Sequence, residues 1–401
     1  MPGSFMYLCH SKRIGYMALS RWNIMVMALC TGLIVANIYY SQPLLVLMSE
    51  EFGVSESNAG QVTFFTQVGY ALGLLFCVPL GDKLERKGQI IVMTFTAVLA
   101  LTAAGFSQNI TMLKITGLLI GFTSVVPQLI LPLAANLSDA ANRGKVIGTI
   151  MSGLLVGILL SRTLSGIVGH HLGWRAMFWI AAGISLLLVV IMLFSFPKSQ
   201  PKFGGSYGDL MKSLGTLIRE QPMLREASAI NACCFAMFGM FWTTVVFLLS
   251  DKPFGYTSEQ IGLMGLAAAA GALGAPLVGR IADKKNPRIA IGYGIIFLLA
   301  GYGMFYFFQA NIIGIIIGII AIDLGLQGIH VSNQTRIYAL QPEARNRLNT
   351  VFMTASFIGT SLGSGIGLWV WSVGKWNGVC VAGTTLILIA LVIYLATYKK
   401  K

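Results

Sequence analysis

Runs of about 20 mostly apolar residues recur along the whole chain, and a helix of that length crosses the hydrocarbon core of a bilayer. Of the 401 residues, 56% are hydrophobic and 10% are charged, whereas a soluble domain carries about a quarter charged residues. The sequence therefore predicts an all-α polytopic membrane protein with twelve transmembrane helices. These spans, numbered 1 to 12, are predicted near residues 23–47, 58–80, 89–107, 112–137, 146–168, 175–196, 224–250, 258–280, 289–308, 312–339, 349–374 and 379–396.

The positive charges predict how the chain is oriented in the bilayer. With twelve spans the loops alternate between two ends of the molecule, and all but five of the 28 Lys and Arg residues fall at the end that holds both termini. We call this the basic end and the other the opposite end. Basic loops stay in the cytoplasm, so both termini are predicted to be cytoplasmic, and the net charge of +14 does not indicate a nucleic-acid partner. The five exceptions are Lys114, Arg175, Lys252 and Lys375 near the opposite end and Arg162 inside span 5.

An internal repeat divides the chain. The loop PLGDKLERKGQ after span 2 has a partner, VGRIADKKNPR, after span 8, and Asp82 and Asp283 stand half a chain apart. The helix starts EFGVSESNAGQ and PFGYTSEQIGL match at nearly the same offset. Matching loops and helices at one offset indicate two pseudo-symmetric six-helix halves. We assign 1–20 to an N-terminal tail, 21–196 to the first half, 197–222 to a cytoplasmic linker and 223–398 to the second half.

These two halves and this loop resemble the major facilitator superfamily of secondary transporters. In the family's loop pattern, roughly G-x-L-a-D-R-x-G-R-K, Val78 and Glu85 replace the two glycines. The segments ANIYYSQPLL, GILLSRTLSG and NQTRIYALQPEARNRLNTVFMT resemble a bacterial exporter branch akin to sugar and drug efflux proteins. The positions that fit the loop pattern are Leu80, Asp82, Lys83, Arg86 and Lys87.

The resemblance implies a multi-pass protein of the bacterial inner membrane that works as a monomer within the lipid bilayer. We predict export of a small organic molecule by rocking of the two halves, coupled to protons. A proton-coupled importer and a transporter-like sensor are the alternatives.

The resemblance also implies a gate at the cytoplasmic surface, formed by Asp82, Arg86, Lys87 and Asp283. Asp82 is expected to meet the start of span 11, because a carboxylate is favoured where unpaired helix N–H groups point. The alternative is that these charges only anchor the loop at the membrane surface. That alternative explains the basic residues well but Asp82 poorly, since acidic residues contribute little to orientation.

Small residues four positions apart allow helices to pack closely in lipid. They occur in spans 2, 5, 8 and 11, which form the interface between halves in this family. We therefore predict that these residues line that interface. The pairs are Gly69 with Gly73, Gly153 with Gly157, Gly271 with Ala275, and Gly359 with Gly363 and Gly367.

A polar stripe on span 10 predicts a substrate cavity. Asp323, Gln327, His330 and Gln334 fall within an arc of about 60° on a helix, with Asn333 beside them. Such a stripe is too costly to face lipid. The family's cavity is lined by spans 1, 4, 7 and 10, and each offers further candidates. They are Asn37, Tyr40 and Ser41 in span 1, Gln128 in span 4, and Asn231 and Trp242 in span 7.

Some of these residues have a structural alternative. Asn37 and Asn231 also suit hydrogen bonds between helices, and Phe235 and Phe238 on span 7 are interpreted as packing residues. Asp323 is the one acid deep in a predicted span and Arg162 the one base. Either Asp323 carries a proton across the membrane, or the two residues form a fixed ion pair.

Other classes of function lack their sequence signatures. There is no HExxH and no convergent pair of acids, so no enzyme is expected, and the missing GxxxxGK[ST] argues against direct use of ATP. The six cysteines lack metal-ligand spacing, and His170 and His171 cannot share one helix face, so neither a metal nor a cofactor is predicted. Because the predicted cavity holds few charges, a neutral or weakly charged substrate is expected.

Overall fold

The computed structural model describes residues 19–139, 142–199, 204–273, 287–341 and 344–398. Within these ranges the chain forms helices and no strand. Asp283 and most of the repeated loop after span 8 lie outside the described residues, as does nearly all of the predicted N-terminal tail. The α-helices are Arg21–Ala36, Leu45–Phe52, Glu56–Phe76, Arg86–Gly105, Ile110–Thr123, Pro127–Leu137, Arg143–Leu172, Trp174–Ser195, Tyr207–Glu220, Pro222–Ser250, Ser258–Leu273, Pro287–Phe307, Ile312–Tyr338 and Arg345–Tyr398.

The prediction of twelve spans is confirmed. Nine candidate spans in the described ranges are long and apolar enough to cross a membrane, and the last of them contains both span 11 and span 12. Lys375, at φ 47° and ψ −146°, separates these two helices. The remaining spans are span 1, which is interrupted, and span 8, which is described as Ser258–Leu273.

Spans 1 and 4 are each broken near a proline. Span 1 consists of Arg21–Ala36 and Leu45–Phe52, joined through turns and a short 3-10 helix at Gln42–Leu44. In span 4 the break falls after Thr123, and the second helix starts at Pro127. Proline lacks the N–H that a continuous helix needs, and breaks in membrane helices are tolerated where they are buried in protein or line a cavity. The break in span 1 places Gln42 in the interior, 2% exposed.

Each half is built from its own helix pairs. In the first half span 1 packs on span 5, span 2 on span 4 and span 3 on span 6; in the second half span 7 packs on span 11 and span 9 on span 10. The halves meet where span 2 contacts span 11 and where span 5 contacts span 8. A separate helix, Tyr207–Glu220, lies in the predicted linker and begins at a capping box formed by Ser206 and Asp209.

The described small-residue pairs pack against helices of their own half. The prediction that they line the interface between the halves is therefore wrong for the residues described. Gly363 packs on the backbone of span 7 at Ala236, Gly153 packs on span 1 at Ala28, and Gly69 packs on span 4 at Leu118. Spacing reports close helix approach but not the identity of the partner helix. A different pair meets across the interface: a Cβ on Gly166 would lie 3.0 Å from the Gly262 Cα atom.

Substitution at Gly363 should test this close packing. A Cβ on Gly363 would overlap the carbonyl oxygen of Ala236, which is backbone and cannot rotate away. Overpacking of this kind costs about 1–3 kcal/mol, so Gly363→Ala should lower the melting temperature of the purified protein. Gly183→Ala is the matched control, because no atom lies within 4 Å of the added carbon there. Equal melting temperatures for the two variants would contradict the packing.

Candidate substrate and coupling site

Two adjoining cavities lie between the halves. Both are lined by Gln42 from the break in span 1, Arg162 from span 5 and Trp242 from span 7. One is otherwise lined by Pro43, Val245, Val246, Leu249, Ile261 and Met264. The other is otherwise lined by Ile38, Tyr39, Gln67, Phe235, Phe238, Gly239, Phe357 and Thr360.

Arg162 is the cation of this site. It is 3% exposed, its Nε donates to Gln42 Oε1 at 2.7 Å, and its Nη2 has no hydrogen-bond partner. Its guanidinium carbon lies 3.9 Å from the centre of the Trp242 ring and 4.8 Å from that of Tyr39. Aromatic faces attract cations, so the two rings hold the guanidinium in place.

Asp323 lies near Arg162 without pairing with it. It is 5% exposed, and its Oδ2 atom has no hydrogen-bond partner among the described residues. No oxygen of Asp323 lies within 4.0 Å of the Arg162 nitrogens. The two opposite charges are close enough to interact electrostatically, so the two residues belong to one site. Asp323 packs against span 8, because a Cβ added to Gly271 would lie 2.8 Å from the Cβ of Asp323.

His330 belongs to a polar cluster inside the second half. The Asn231 amide nitrogen lies 3.2 Å from His330 Nδ1 and donates to Ser356 Oγ at 2.5 Å. The imidazole stacks on Phe352 with ring centres 5.3 Å apart and contacts Phe235 at 5.4 Å. This cluster joins spans 7, 10 and 11, and Asn231 there is 0% exposed.

The basic-end part of the polar stripe makes local hydrogen bonds. Gln334 donates to Asn349 Oδ1 at 3.2 Å, which links span 10 to the start of span 11. Asn333 accepts from Arg336 Nη1 at 3.1 Å. Gln327 is half-buried on the same helix between these groups and Asp323. The stripe therefore changes its surroundings along its length, from the neighbourhood of Arg162 at Asp323 to the start of span 11 at Gln334.

The ion cluster at the basic end of the second half centres on Glu226. Its Oε1 atom lies 3.1 Å from Arg336 Nη2 and 3.2 Å from Arg288 Nη2, and the three side chains are 10% exposed or less. Arg288 also donates to Thr397 Oγ1 at 2.6 Å. The cluster thus ties together the basic ends of spans 7, 9, 10 and 12.

The candidates from spans 1 and 4 are buried but outside both cavity linings. Ser41 Oγ lies 3.0 Å from Thr63 Oγ1, which links span 1 to span 2. Tyr40 is 1% exposed, and its carbonyl oxygen accepts from Ser165 Oγ at 2.5 Å. Asn37 is 3% exposed and Gln128 is 7% exposed. Among the residues predicted to line the substrate cavity, Trp242 alone belongs to the described lining of the two cavities.

Sequence reasoning missed Tyr39, Gln42 and Gln67. The structure also places Phe235 and Phe238, interpreted above as packing residues, on the cavity lining. One signal was present in the sequence. A polar residue directly before a proline in a membrane span, as at Gln42 and Pro43, indicates a helix break that faces the interior.

The halves are joined at the opposite end. Glu56 at the start of span 2 accepts from Trp371 Nε1 at 2.9 Å and lies 3.6 Å from Lys375 Nζ. Ser57 Oγ donates to the Leu368 carbonyl at 3.2 Å. These contacts close span 2 onto span 11.

Spans 5 and 8 form the second closure. Thr163 Oγ1 donates to the Gly262 carbonyl at 3.1 Å, and Ser258 Oγ donates to that of Gly166 at 3.3 Å. At the surface His171 Nε2 lies 3.6 Å from Glu259 Oε2. Nearer the cavity, Gln67 Oε1 accepts from Ser364 Oγ at 2.6 Å across the interface. The cavities are therefore covered on the side of the opposite end.

The loop at Asp82 is held by contacts of its own. Asp82 Oδ1 lies 2.7 Å from Arg86 Nη2, and Lys87 Nζ donates to the Leu193 carbonyl at 2.8 Å. Glu85, which replaces a family glycine, caps span 3 by accepting from the Lys87 and Gly88 backbone N–H groups at 3.0 and 2.7 Å. The loop is thus fastened to the basic ends of spans 3 and 6.

Asp82→Asn should slow transport while the protein keeps its fold. Asp82 is 23% exposed in its ion pair with Arg86, and partly solvated pairs contribute about 0–1 kcal/mol, so the melting temperature should change little. Flux into proteoliposomes and melting of the purified variant are the measurements. Lys145→Gln, at an exposed position at the basic end of span 5, is the control. Normal flux through well-folded Asp82→Asn would leave Asp82 with an anchoring role alone.

Comparison with known proteins decides the family. The family model described as Major Facilitator Superfamily matches residues 27–340. The chain belongs to the major facilitator superfamily. It is 42% identical to the putative uncharacterized transporter YgaY of Escherichia coli strain K12, with 92% of this chain and 94% of the relative covered. It is 21% identical to a probable sugar efflux transporter of Helicobacter pylori strain P12, with 80% and 81% covered.

A solved structure confirms the fold. A mutant of the nucleoside transporter NupG superposes with a TM-score of 0.76 at 12% identity, covering 94% of this chain and 99% of that one. The all-α, twelve-span architecture in two six-helix halves is therefore the major facilitator fold. The chain is a multi-pass membrane transporter of the secondary type.

Proposed function

We propose that this transporter moves a small organic solute across the bacterial inner membrane by alternating access, coupled to protons and in the direction of export. The observation that carries the proposal is the pair of unpaired buried charges, Arg162 and Asp323, beside cavities between the two halves. Secondary transporters bind substrate and coupling ions near the bilayer midplane between their repeats. The basic end is taken as cytoplasmic from the distribution of Lys and Arg.

Each part of the site has a role in this proposal. Substrate binds in the two cavities that are lined by Gln42, Arg162 and Trp242. On the side of the opposite end, these cavities are covered by the contacts of Glu56, Ser57, Thr163 and Ser258. Breaking those contacts as the halves rock opens the cavities to the other side. Asp323 carries the proton, because an ionised carboxylate in such surroundings needs a cation or a proton, and no cation lies within ion-pair distance.

Export is favoured by the similarity to the Helicobacter pylori relative named as a probable sugar efflux transporter. Import is the second candidate, since one binding site and one proton carrier serve either direction. Export and import differ in the direction of the pH gradient that drives accumulation of the solute in vesicles of known orientation.

Reconstitution into liposomes tests the function. A candidate solute is first found by its effect on the melting temperature of the purified protein, and counterflow of that solute is then measured. An imposed pH gradient should drive its accumulation, and dissipation of the gradient should stop it. Flux that ignores the pH gradient would refute proton coupling, and the absence of counterflow for a bound solute would refute transport.

A further inference from the structure

We propose that the transported solute is an organic monocarboxylate whose carboxylate binds Arg162 and whose apolar body lies against the phenylalanines of the cavity. This rests on the proposed function of the site as a substrate cavity. It replaces the neutral or weakly charged substrate expected from the sequence, where Arg162 was considered only as a partner of Asp323.

The charge of the described lining is the first argument. Arg162 is the one charged side chain among the residues that line either cavity, and no acidic residue is among them. Its single side-chain hydrogen bond in the described structure is to Gln42, which is neutral, and Nη2 remains without a partner. A cation that is 97% buried in a membrane protein is costly unless an anion neutralises it, and Asp323 lies beyond ion-pair distance.

The geometry around Arg162 favours a carboxylate. A guanidinium presents a planar fork of donors that matches the two oxygens of a carboxylate. The Trp242 and Tyr39 rings lie against the guanidinium, and Gln42 holds its Nε edge. The group is thus held in one orientation before ligand arrives. One arginine, with no lysine or second arginine in the described lining, suits a single negative charge.

The rest of the lining selects an apolar body. Phe235, Phe238 and Phe357 line the same cavity as Arg162, together with Ile38. Gln67 and Thr360 also line it and provide hydrogen-bonding groups for one or two polar substituents. The carboxylate of an aromatic or short aliphatic acid would neutralise Arg162, and its apolar part would pack against the aromatic side chains of the lining.

Matched pairs of small molecules test this class of ligand. We would measure the melting temperature of the protein in nanodiscs with benzoate, 3-phenylpropanoate and hexanoate, each beside its own neutral amide. At least one carboxylate should raise the melting temperature in a saturable way while its amide does not, because ligand that binds only the folded state stabilises it by mass action. If no carboxylate exceeds its amide, the proposal is overturned.

Variants assign the effect to Arg162. Arg162→Gln should abolish the carboxylate shift. Arg162→Lys should weaken binding about tenfold, because it keeps the charge but loses one hydrogen bond of the planar fork. Arg162→Lys also serves if Arg162→Gln does not fold. Lys252→Gln, at an exposed position, should leave the shift unchanged. A carboxylate shift of wild-type size in both Arg162 variants would overturn the proposal.

The same panel separates this proposal from the transport function. Carboxylates that bind through Arg162 but show no counterflow would refute the transport function and leave the ligand class standing. Neutral amides that bind and are transported, with inert carboxylates, would refute the ligand class and leave the function standing.

Discussion

Asp323→Asn is expected to abolish accumulation driven by a pH gradient while exchange of substrate down its own gradient survives. Asparagine resembles the protonated carboxylic acid in shape and charge, but it cannot release a proton. The variant transporter would then still move substrate between the two sides of the membrane, but this movement would not be coupled to a proton. Flux in proteoliposomes, measured with and without a pH gradient, gives both quantities for the variant and the wild type.

The melting temperature distinguishes this role from a fixed ion pair. Removing one member of a buried pair typically costs about 3–5 kcal/mol. No oxygen of Asp323 lies within 4.0 Å of the Arg162 nitrogens, so Asp323→Asn should melt close to the wild type. A strongly destabilised Asp323→Asn, rescued by adding Arg162→Gln, would identify a structural pair. Retained pH-driven accumulation in stable Asp323→Asn would refute the proton-carrier role.

Glu226→Gln should lower the stability of the second half by about 3–5 kcal/mol. It removes the negative charge that lies between Arg288 and Arg336, and all three side chains are 10% exposed or less. The two guanidinium groups would then repel each other at the basic ends of spans 9 and 10. Thermal melting of the purified variant measures the loss.

Glu220→Gln provides a matched control for that prediction, because Glu220 is an exposed acid in the linker helix. Adding Arg336→Gln to Glu226→Gln should recover part of the loss, since it removes one of the two like charges. Wild-type melting of Glu226→Gln would show that the cluster contributes nothing to stability.

The helical architecture could be predicted from the sequence because bilayer thickness fixes the length of each apolar run. Spans 2 and 10 show this well: the predictions 58–80 and 312–339 correspond to Glu56–Phe76 and Ile312–Tyr338. Breaks inside spans were missed, because hydropathy averages over about 20 residues. The breaks before Leu45 and Pro127 are shorter than that window.

The candidate site was only partly predictable. Arg162 and Asp323 could be found because an ionisable residue deep in a span is rare and costly. Tyr39 and Gln42 could not be found from helical periodicity, because they lie where the helix of span 1 is interrupted. The partner of each small residue was also hidden: Gly363 packs on span 7 within its own half, and spacing alone does not name the neighbour.

Alternating access requires that the contacts at the opposite end break during each cycle. His171 and Glu259 belong to different halves, and their side chains are 60% and 37% exposed, with Nε2 and Oε2 3.6 Å apart. Cysteines at these two positions, in a protein whose six native cysteines are replaced, can be joined by a short bifunctional thiol reagent. Glu51 and Arg175 form an ion pair at the same end but within one half, so a cysteine pair there is the control.

The decisive measurement is counterflow through the crosslinked protein in liposomes, before and after cleavage of the crosslink. Joining positions 171 and 259 should stop counterflow, and cleavage should restore it, because the halves can then separate at the opposite end. Joining positions 51 and 175 should leave counterflow unchanged. Counterflow that continues at the uncrosslinked rate with positions 171 and 259 joined would contradict rocking of the two halves.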